Sequence, residues 1–219
     1  RNIYNELVSE EIKNNDPLNL PDGIFFRRKS VSVYSPHMKE IHRGISGETE
    51  IIACIEKALF ILHNKSIPPL IRISVFHYLF GYIHPFYDGN GRTNRFISSY
   101  LLSKELEPLI SYHLAKTIKK NISKYYKSFD YTNDTDNRGD LTGFITNFLE
   151  IILASIEALI DSLEDKIERL QYYYLILKIK RITEFFIYYY RILYLVWNHC
   201  LPEKWLKCLI NLMLRLIIV

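Results

Sequence analysis

The apolar residues in the second half of this sequence recur at helical spacing, and this feature constrains the fold more than any other. The run is strongest between residues 141 and 170, where it includes Leu141, Phe144, Ile145, Phe148, Leu149 and Ile152. Residues three or four apart share one face of an α-helix, so the run predicts a long helix with one buried side. Weaker runs predict further helices at residues 3–12, 46–62, 69–83, 92–105 and 115–129. We therefore predict an all-α, mainly helical fold.

The helix after Ser46 begins with the signals expected at a helix N-terminus. Ser46 is a good N-cap residue, and Glu48 and Glu50 follow in the first turn, where the helix dipole favours carboxylates. The buried face of this helix is predicted to consist of Ile51, Ile55, Leu59 and Leu62.

One segment alternates in polarity instead of following the helical period. Residues 25–33 alternate between apolar and polar side chains, which is typical of a strand with one buried face. The turn residues Pro21–Gly23 precede this strand. A second turn at Tyr34–His37 leads into a weaker return strand at Met38–Ile41. We predict a single β-hairpin over about residues 24–43.

Length and composition fit one cytoplasmic domain with a small appendage. The chain has 219 residues and a formal net charge of +4, spread too evenly to indicate a nucleic-acid partner. Its most apolar stretch, Phe185–Trp197, is interrupted by Arg191 and is too short to span a bilayer, so we expect no membrane partner. Cys54, Cys200 and Cys208 form no CxxC pair and are predicted to be buried, reduced thiols.

The two ends of the sequence lead to separate expectations. The chain begins at Arg1, and no charged-then-apolar leader follows, so we expect a fragment of a longer protein in which no signal peptide is visible. Residues 171–219 are crowded with Tyr, Leu and Ile, which favours a helical extension or a contact in a homodimer. A DNA-binding appendage is the alternative, although the segment shows no recognition-helix pattern.

The segment His84–Arg95 concentrates residue types that bind phosphate. Its Gly89–Gly91 loop carries little side-chain bulk just before a predicted helix, so backbone N–H groups can converge on an anion. Arg92 and Arg95 lie three residues apart on that helix and therefore project from one face. Guanidinium groups suit phosphate oxygens, so a polyphosphate is the expected ligand.

The same segment offers a metal ligand and a base. Asp88 is a lone carboxylate beside the expected phosphates, which is a usual arrangement for holding Mg²⁺. His84 supplies an imidazole, the side chain that ordinarily titrates near neutral pH and so can accept a proton from a hydroxyl. Phe86 is predicted to point inward and anchor the loop, whereas His77 is interpreted as a structural histidine without a chemical role.

This segment, His-x-Phe-x-Asp-Gly-Asn-Gly-Arg-x-x-Arg, resembles the signature of Fic (Fic/DOC, Fido) domain proteins at every specified position. The resemblance extends from about residue 20 to 165. We assign a Fic domain to residues 1–170, with a flap at about 24–43 and the catalytic loop at 84–95, and a C-terminal tail to 171–219. The resemblance implies a Fic-type helical core, with the hairpin as a flap that holds a segment of a target protein by strand addition.

The activity that the resemblance implies is protein adenylyl transfer. AMP would move from ATP, with Mg²⁺, to a Ser, Thr or Tyr hydroxyl of a target protein, and pyrophosphate would leave. His84 would be the general base and Asp88 the magnesium ligand. The residues implied in nucleotide binding by the loop and helix are Asp88, Gly89, Asn90, Gly91, Arg92, Thr93, Asn94 and Arg95, with Arg92 and Arg95 on the β- and γ-phosphates.

Residues outside the loop are also implied in nucleotide binding. The part of the flap that passes over the nucleotide matches Val31, Ser32, Val33 and Tyr34. Tyr125 and Tyr126 match a tyrosine pair that lines the adenine pocket in many Fic enzymes. Asn137 matches an asparagine near the base or ribose.

Several alternatives remain open from the sequence. Related proteins transfer phosphate, UMP or phosphocholine, but the phosphate-transferring Doc branch typically has Lys in place of Gly91 and lacks the second arginine, so AMP is favoured. A second alternative is a regulator that binds ATP without turnover. His84 argues against it, because binding alone needs no base.

Regulation in this family often depends on a helix with the pattern Ser/Thr-x-x-x-Glu-Gly/Asn, whose glutamate pairs with the second motif arginine. The 219 residues contain no such pattern. We expect the inhibitory helix upstream of Arg1 or on a partner, unless the enzyme is unrestrained.

Overall fold

Helices make up most of the computed structural model, which describes residues 1–34, 38 and 40–199, with side chains up to residue 193. In chain order the elements are α1 (Asn2–Tyr4), a π-helical turn (Asn5–Ser9), α2 (Glu10–Asn15), β1 (Ser32–Tyr34), β2 (Glu40–Arg43), α3 (Glu48–His63), α4 (Pro69–Ile83), α5 (Asn90–Glu105), α6 (Pro108–Lys120), α7 (Ile122–Asn133) and α8 (Thr142–His199). Short 3-10 turns lie at Pro17–Asn19 and Thr135–Asn137. The predicted mainly helical fold with one small hairpin is confirmed.

The chain forms two compact units, of which the first is Arg1–Ser162 and the second begins at Leu163. All the residues that the sequence predicts for the site lie in the first unit. The predicted limit of the Fic domain at residue 170 stays a prediction, because a compact unit and a family domain need not end together.

One hydrophobic core lies between α4, α5, α6, α7 and the first turns of α8. Its buried members are Ile73, Tyr78, Leu102, Leu114, Ile118, Tyr125, Phe144, Phe148, Ile151 and Ile152. Phe144 and Phe148 are completely buried, as their spacing predicts. Burying one such side chain stabilises a fold by about 1.5–3 kcal/mol, so the start of α8 is a principal contributor to this core.

A second core joins the N-terminal helices, α3, α4 and the loop that follows α4. Its buried members are Tyr4, Val8, Ile12, Ile51, Ala58, Phe76, Phe80, Ile83 and Phe86. Helix α4 contributes to both cores and is therefore buried on most of its surface. This burial fixes the position of its C-terminal end, where the catalytic loop begins.

The strand predicted at residues 25–33 is wrong for most of its length, because β1 covers only Ser32–Tyr34. The backbone N–H groups of residues 24–26 donate to the carboxylate of Glu48 at 3.1, 2.6 and 2.9 Å. Those groups are consequently unavailable to a neighbouring strand. The return strand lies at Glu40–Arg43, two residues later than predicted.

The hairpin is antiparallel, and its register pairs Ser32 with Arg43 and Val33 with His42. An irregularity between Val33 and Tyr34 then shifts Tyr34 opposite Glu40. Most of the predicted turn at residues 34–37 lies outside the described residues.

Helix α3 starts later than its sequence signals indicate. Its N-cap is Gly47, with φ 87°, and no side chain caps this end, so the predicted capping role of Ser46 is wrong. A positive φ favours glycine, which lets the chain turn one residue after Ser46. Leu59 is also more exposed than predicted, at 37%, whereas Ala58 is completely buried. Seven residues make about two helical turns, so Ala58 rather than Leu59 lies below Ile51.

The single helix predicted at residues 115–129 is two helices, α6 and α7. They are separated at Asn121, which has φ −107° and ψ 25°. Its backbone N–H donates to the carbonyls of Thr117 and Ile118, both at 3.1 Å, and its side chain donates to the carbonyl of Thr117 at 3.0 Å. Asn121 thus satisfies the last carbonyls of α6 and ends that helix.

Helix α8 carries exposed apolar side chains over the predicted tail, including Tyr174 and Leu177. Among the described residues it is the one helix long and apolar enough to cross a bilayer, and 39% of its most apolar 18-residue window is buried inside the protein. Phe144 and Phe148 already fill a core, so composition alone is weak evidence for a membrane span. The expectations of no membrane partner and of a homodimer contact stay predictions.

The three cysteines are only partly accounted for. Cys54 is a free thiol and is partly exposed, which corrects the prediction that it is buried. Cys200 and Cys208 lie outside the described residues.

Candidate active site

The predicted catalytic loop begins at His84, the residue that follows α4. Its backbone has φ 53° and ψ 61°, a left-handed conformation that few residues other than glycine adopt. The ring Nδ1 lies 3.2 Å from the carbonyl of Gly81. A carbonyl only accepts, so Nδ1 carries the proton of the neutral ring and Nε2 keeps its lone pair. Nε2 has no hydrogen-bond partner among the described residues.

The surroundings of His84 favour its neutral form. The pKa of His84 is lowered to about 4, mainly by burial and also by the charges of His42 and Arg27, although the Gly81 carbonyl and the charge of Asp88 raise it. The imidazole is therefore neutral at pH 7, in the state that can accept a proton.

The loop is held by Asn90 and Phe86. The side chain of Asn90 accepts from the N–H of Phe86 at 2.9 Å and donates to its carbonyl at 2.8 Å. Phe86 is 1% exposed, as predicted, and stacks on Tyr4 with ring centroids 3.9 Å apart. The Asn90 side chain thus closes the loop, and only its backbone N–H is left for an anion.

The N-terminus of α5 presents backbone N–H groups without side-chain competition. Its N-cap is Gly89, with φ 83°, and no side chain caps this end. The first intrahelical bond runs from the N–H of Thr93 to the carbonyl of Gly89 at 3.0 Å. The N–H groups of Asn90, Gly91 and Arg92 precede that bond and have no intrahelical acceptor. Together with the positive end of the helix dipole, they form a site suited to an anion.

The two motif arginines have different partners. Arg92 forms ion pairs with Glu11, on the N-terminal helix, and with Asp88 at 3.1 Å. Arg95 is half-buried and has no hydrogen-bond acceptor or carboxylate partner in the described part of the chain. Arg92 and Arg95 line a cavity of about 670 Å³ together with Phe96, Tyr100 and Tyr112, whereas His84, Asp88 and Gly89–Gly91 do not belong to the lining of this cavity in the described residues. A half-buried cation without an acceptor favours an anionic ligand.

Asp88 fits the expected magnesium ligand in its chemistry and exposure. One carboxylate oxygen accepts from the N–H of Gly89 at 2.5 Å and the other from Arg92, and about half of the side chain is exposed. A carboxylate has about four lone-pair positions, so room remains for a cation. The described residues hold no cluster of three or more metal ligands, which is compatible with a Mg²⁺ site completed by phosphate and water.

The flap is attached to the C-terminal end of α4. Nε2 of His42, on β2, lies 2.6 Å from the carbonyl of Tyr82, and the two rings are 4.9 Å apart. The N–H of Ile45 donates to the carbonyl of Ile83 at 3.1 Å. These bonds hold the flap against the end of α4, just before His84. The flap includes the predicted nucleotide-binding residues Val31, Ser32, Val33 and Tyr34.

The structure places two motif residues away from the cavity. The side chains of Thr93 and Asn94 are only 2% and 3% exposed. Asn94 donates to the carbonyl of His77 at 2.8 Å, which joins α5 to α4. Neither lines the cavity next to Arg92 and Arg95 in the described residues, so these side chains serve packing.

The residues matched to the adenine pocket are also dispersed. Tyr125 is 5% exposed and lies in the core, with its hydroxyl 2.7 Å from Nε2 of His77, whereas Tyr126 is 55% exposed. Asn137 donates to the carbonyls of Asp140 and Thr132 at 2.7 and 3.4 Å and so stabilises its own loop. Their predicted roles in nucleotide binding stay predictions.

His77 has the structural role predicted for it. Nδ1 lies 2.6 Å from the Ser98 hydroxyl and Nε2 contacts Tyr125, which connects α4, α5 and α7. Complete burial lowers the pKa of His77 to about 3, and the charge of Arg95 lowers it further. The ring is therefore a neutral, fully satisfied polar group in the core.

Replacing Tyr125 by phenylalanine is expected to destabilise the protein by about 1–3 kcal/mol, because one nitrogen of buried His77 loses its partner. Tyr126→Phe is the matched control and should change the free energy of unfolding by less than about 0.5 kcal/mol. Denaturant unfolding measures both changes, and ATP titration should show unchanged affinity. Weaker ATP binding with unchanged stability in Tyr125→Phe would instead place Tyr125 in a nucleotide pocket.

Sequence reasoning missed three residues that organise the site: Arg27, His42 and Glu48. Their partners are backbone groups, which leave no pattern in a sequence. The clearest signal was Arg27 itself, a charged residue directly after the apolar residues Ile24–Phe26.

Residues 3–102 match the model of the Fic/DOC family. The chain is also similar in structure to a Fic family protein from Desulfovibrio desulfuricans G20, with 22% sequence identity and a TM-score of 0.58, over 70% of this chain and 45% of the other. A fragment of Fic-1 from C. elegans is similar with 25% identity and a TM-score of 0.49, over 71% of this chain and 41% of that fragment. The chain thus spans less than half the length of either structure. The predicted family resemblance and helical fold are confirmed.

Proposed function

Given that residues 3–102 belong to a domain of the Fic/DOC family, we propose that this chain is a protein adenylyltransferase that uses ATP. Family membership supports a Fic-type transferase. The transfer of AMP in particular, and its acceptor, a hydroxyl of a target protein, belong to the proposal.

One observation carries the proposal. In the described part of the chain, half-buried Arg95 has no acceptor and lies on the same helix as an N-terminus with bare N–H groups, and the loop before that helix carries Nε2 of His84, which has no partner among those residues. The first two features favour a polyphosphate, and the third supplies a base beside it. A site that only bound a nucleotide would have no use for the base.

The proposed reaction uses these groups as follows. The target hydroxyl gives its proton to Nε2 of His84 while its oxygen attacks the α-phosphorus of ATP, and the bond to pyrophosphate breaks. The backbone N–H groups of Asn90, Gly91 and Arg92 and the guanidinium groups of Arg92 and Arg95 hold the phosphates and stabilise the charge that develops on the leaving group. Mg²⁺, held by Asp88, would supply further neutralisation of that charge when bound.

Arg92 must exchange partners for this to happen. Arg92 is paired with Glu11 and Asp88, both of which are about half exposed. Exposed ion pairs of this kind contribute only about 0–1 kcal/mol, so phosphate oxygens can displace them.

The target is proposed to dock on the flap by strand addition. Strands β1 and β2 pair only with each other in the described part of the chain, so each keeps one edge of unpaired backbone groups. An extended target segment can bond to such an edge with little dependence on its side chains. His42 in the flap is hydrogen-bonded to Tyr82, and Ile45, just after the flap, to Ile83. A target segment on the flap would therefore lie near His84.

A regulatory carboxylate is proposed to bind Arg95. The resemblance implies an inhibitory helix whose glutamate pairs with the second motif arginine. Arg95 is that arginine, and the apolar lining of its cavity by Phe96, Tyr100 and Tyr112 is compatible with a packed helix. Such a glutamate would compete with the γ-phosphate for Arg95.

Comparing α-labelled and γ-labelled ATP tests the proposed reaction. The protein is incubated with Mg²⁺, either label and a cell lysate, and His84→Ala is run in parallel. Label from the α position on a protein band, absent with His84→Ala, supports AMP transfer. Label from the γ position alone means phosphate transfer, and no label from either ATP in a protein that binds ATP supports the regulator.

The dependence of kcat/KM on pH is expected to follow the protonation of the His84 imidazole in the enzyme without substrate. Below its folded pKa the ring is protonated and cannot act as a base, and burial lowers that pKa to about 4. The rate should therefore hold from pH 8 to about pH 5 and fall only at lower pH. Initial rates at low ATP measure this, with circular dichroism to confirm folding at each pH. A fall centred near pH 6.5 would contradict the buried, neutral His84.

A further inference from the structure

We propose that Arg27 is a positioning residue for this reaction, whose buried guanidinium holds the backbone of His84 and joins it to both ends of the flap. The inference rests on the proposed function for its consequence in catalysis. It assigns a role to a residue outside the family signature.

Arg27 is completely buried and bonds only to backbone carbonyls among the described residues. Nε donates to the carbonyl of His84 at 2.9 Å, and Nη1 to that of Lys29 at 2.5 Å. Nη2 donates to the carbonyl of Ile45 at 2.6 Å and, less closely, to that of Ile83 at 3.4 Å. A buried guanidinium requires such partners, and its planar fork lets one side chain reach several acceptors at once.

The acceptors explain why a cation is placed here. The last carbonyls of α4 have no intrahelical donor and carry the negative end of the helix dipole. Arg27 binds the carbonyls of Ile83 and His84, and His42 binds that of Tyr82. The guanidinium therefore caps α4 at the residue that bears the catalytic imidazole.

The same contacts join the two ends of the flap. Lys29 precedes β1 and Ile45 follows β2, and the carbonyls of both residues accept hydrogen bonds from the guanidinium of Arg27. The N–H of Arg27 also bonds to the carbonyl of Pro85, on the other side of His84, at 3.2 Å. The residues at the two ends of the flap and the backbone on both sides of His84 are thus hydrogen-bonded to the same residue, Arg27.

This arrangement predicts a specific pattern of kinetic effects. His84 has a left-handed backbone, and its ring is aimed by that backbone together with the Nδ1 contact to Gly81. Without the hydrogen bonds of the Arg27 guanidinium, the imidazole of His84 and the flap would be misaligned. A displacement of about 1 Å in a reacting group can lower a rate about 100-fold. The phosphate-binding groups of α5 make no hydrogen bond to Arg27, so ATP affinity should stay unchanged.

The charge of Arg27 has a separate, measurable consequence. The titratable and charged groups facing His84 are His42 on β2, Arg27, and Asp88 in the loop; the first two lower the pKa of His84 and Asp88 raises it, beside the larger effect of burial. Removing the Arg27 charge should therefore move the titration of His84 to higher pH. A side chain that only fills space would leave it unchanged.

Two variants separate geometry from charge. Arg27→Lys keeps the charge but cannot reach four carbonyls with one ammonium group, so kcat should fall about 10–100-fold with an unchanged pH profile. Arg27→Met should lose a similar factor in kcat and also shift the acid limb of the profile upward. Arg28→Met, at the exposed neighbour, is the matched control and should behave like the wild type.

The measurements are kcat and KM for ATP, ATP binding by calorimetry, and the NMR titration of the His84 imidazole, assigned with His84→Gln. Wild-type kcat in folded Arg27→Lys, or a loss of ATP affinity equal to the loss of rate, would overturn the inference. If Arg27→Met does not fold, Arg27→Lys still decides the outcome through kcat. The NMR titration needs no turnover, so failure of the proposed AMP transfer is distinguishable from failure of the role of Arg27.

Discussion

His84→Ala is expected to lower the rate of AMP transfer by about 10²–10⁴-fold, the usual contribution of a positioned general base. The neutral ring offers a free Nε2 lone pair at pH 7, and no other imidazole in the described residues belongs to the catalytic loop. The effect should fall on kcat, because the groups that hold the phosphates are unchanged. Label transfer from α-labelled ATP, measured as initial rates, tests this expectation.

The matched control for this variant is His63→Ala. His63 is exposed on the last turn of α3, where its ring bonds only to the carbonyl of Leu59. Its removal should leave both the rate and the ATP affinity unchanged. Transfer that persists in His84→Ala at the wild-type rate would show that another group takes the proton.

Arg95→Ala is expected to lower kcat/KM for ATP by about 10²–10³-fold, the loss that follows removal of one preorganised oxyanion-hole donor. The guanidinium of Arg95 already lines the cavity and has no competing acceptor in the described part of the chain. Its interaction with phosphate is therefore gained without breaking an ion pair. Isothermal titration calorimetry measures how much of this loss comes from weaker ATP binding, and initial rates measure how much comes from slower turnover.

Arg92→Ala provides an internal comparison, because Arg92 must leave Glu11 and Asp88 before it can hold a phosphate. We expect its loss to weaken ATP binding less than the loss of Arg95 does. Lys119→Ala, at an exposed position in the last turn of α6, is the neutral control. Since Arg95 has no hydrogen-bond or ion-pair partner among the described residues, its replacement should change the free energy of unfolding by less than about 0.5 kcal/mol. Unaltered ATP kinetics in Arg95→Ala would exclude it from the site.

The sequence predicted the site best where backbone chemistry follows directly from residue type. The Gly89–Gly91 loop before a helix predicts bare N–H groups, and the structure shows such groups at the start of α5. The predicted burial of Phe86 and the structural interpretation of His77 are confirmed as well. In each case the outcome depends on a few neighbouring residues or on helical periodicity.

Predictions failed where a distant group decided the local structure. The strand expected at residues 25–33 is short because the carboxylate of Glu48 takes the N–H groups of residues 24–26. A distant bond also decides the place of Tyr125, which contacts His77 in the core, and its predicted role in nucleotide binding stays a prediction.

By itself, the sequence determined the helical class of the protein and its family signature, because periodicity and the signature act over short distances along the chain. Only the tertiary structure decided which polar side chains are bonded to distant parts of the protein. Arg27 is the clearest example, since its partners at Ile45, Ile83 and His84 are 18, 56 and 57 residues away. Hydrogen bonds to backbone carbonyls depend on position rather than on residue type, so no sequence pattern records them.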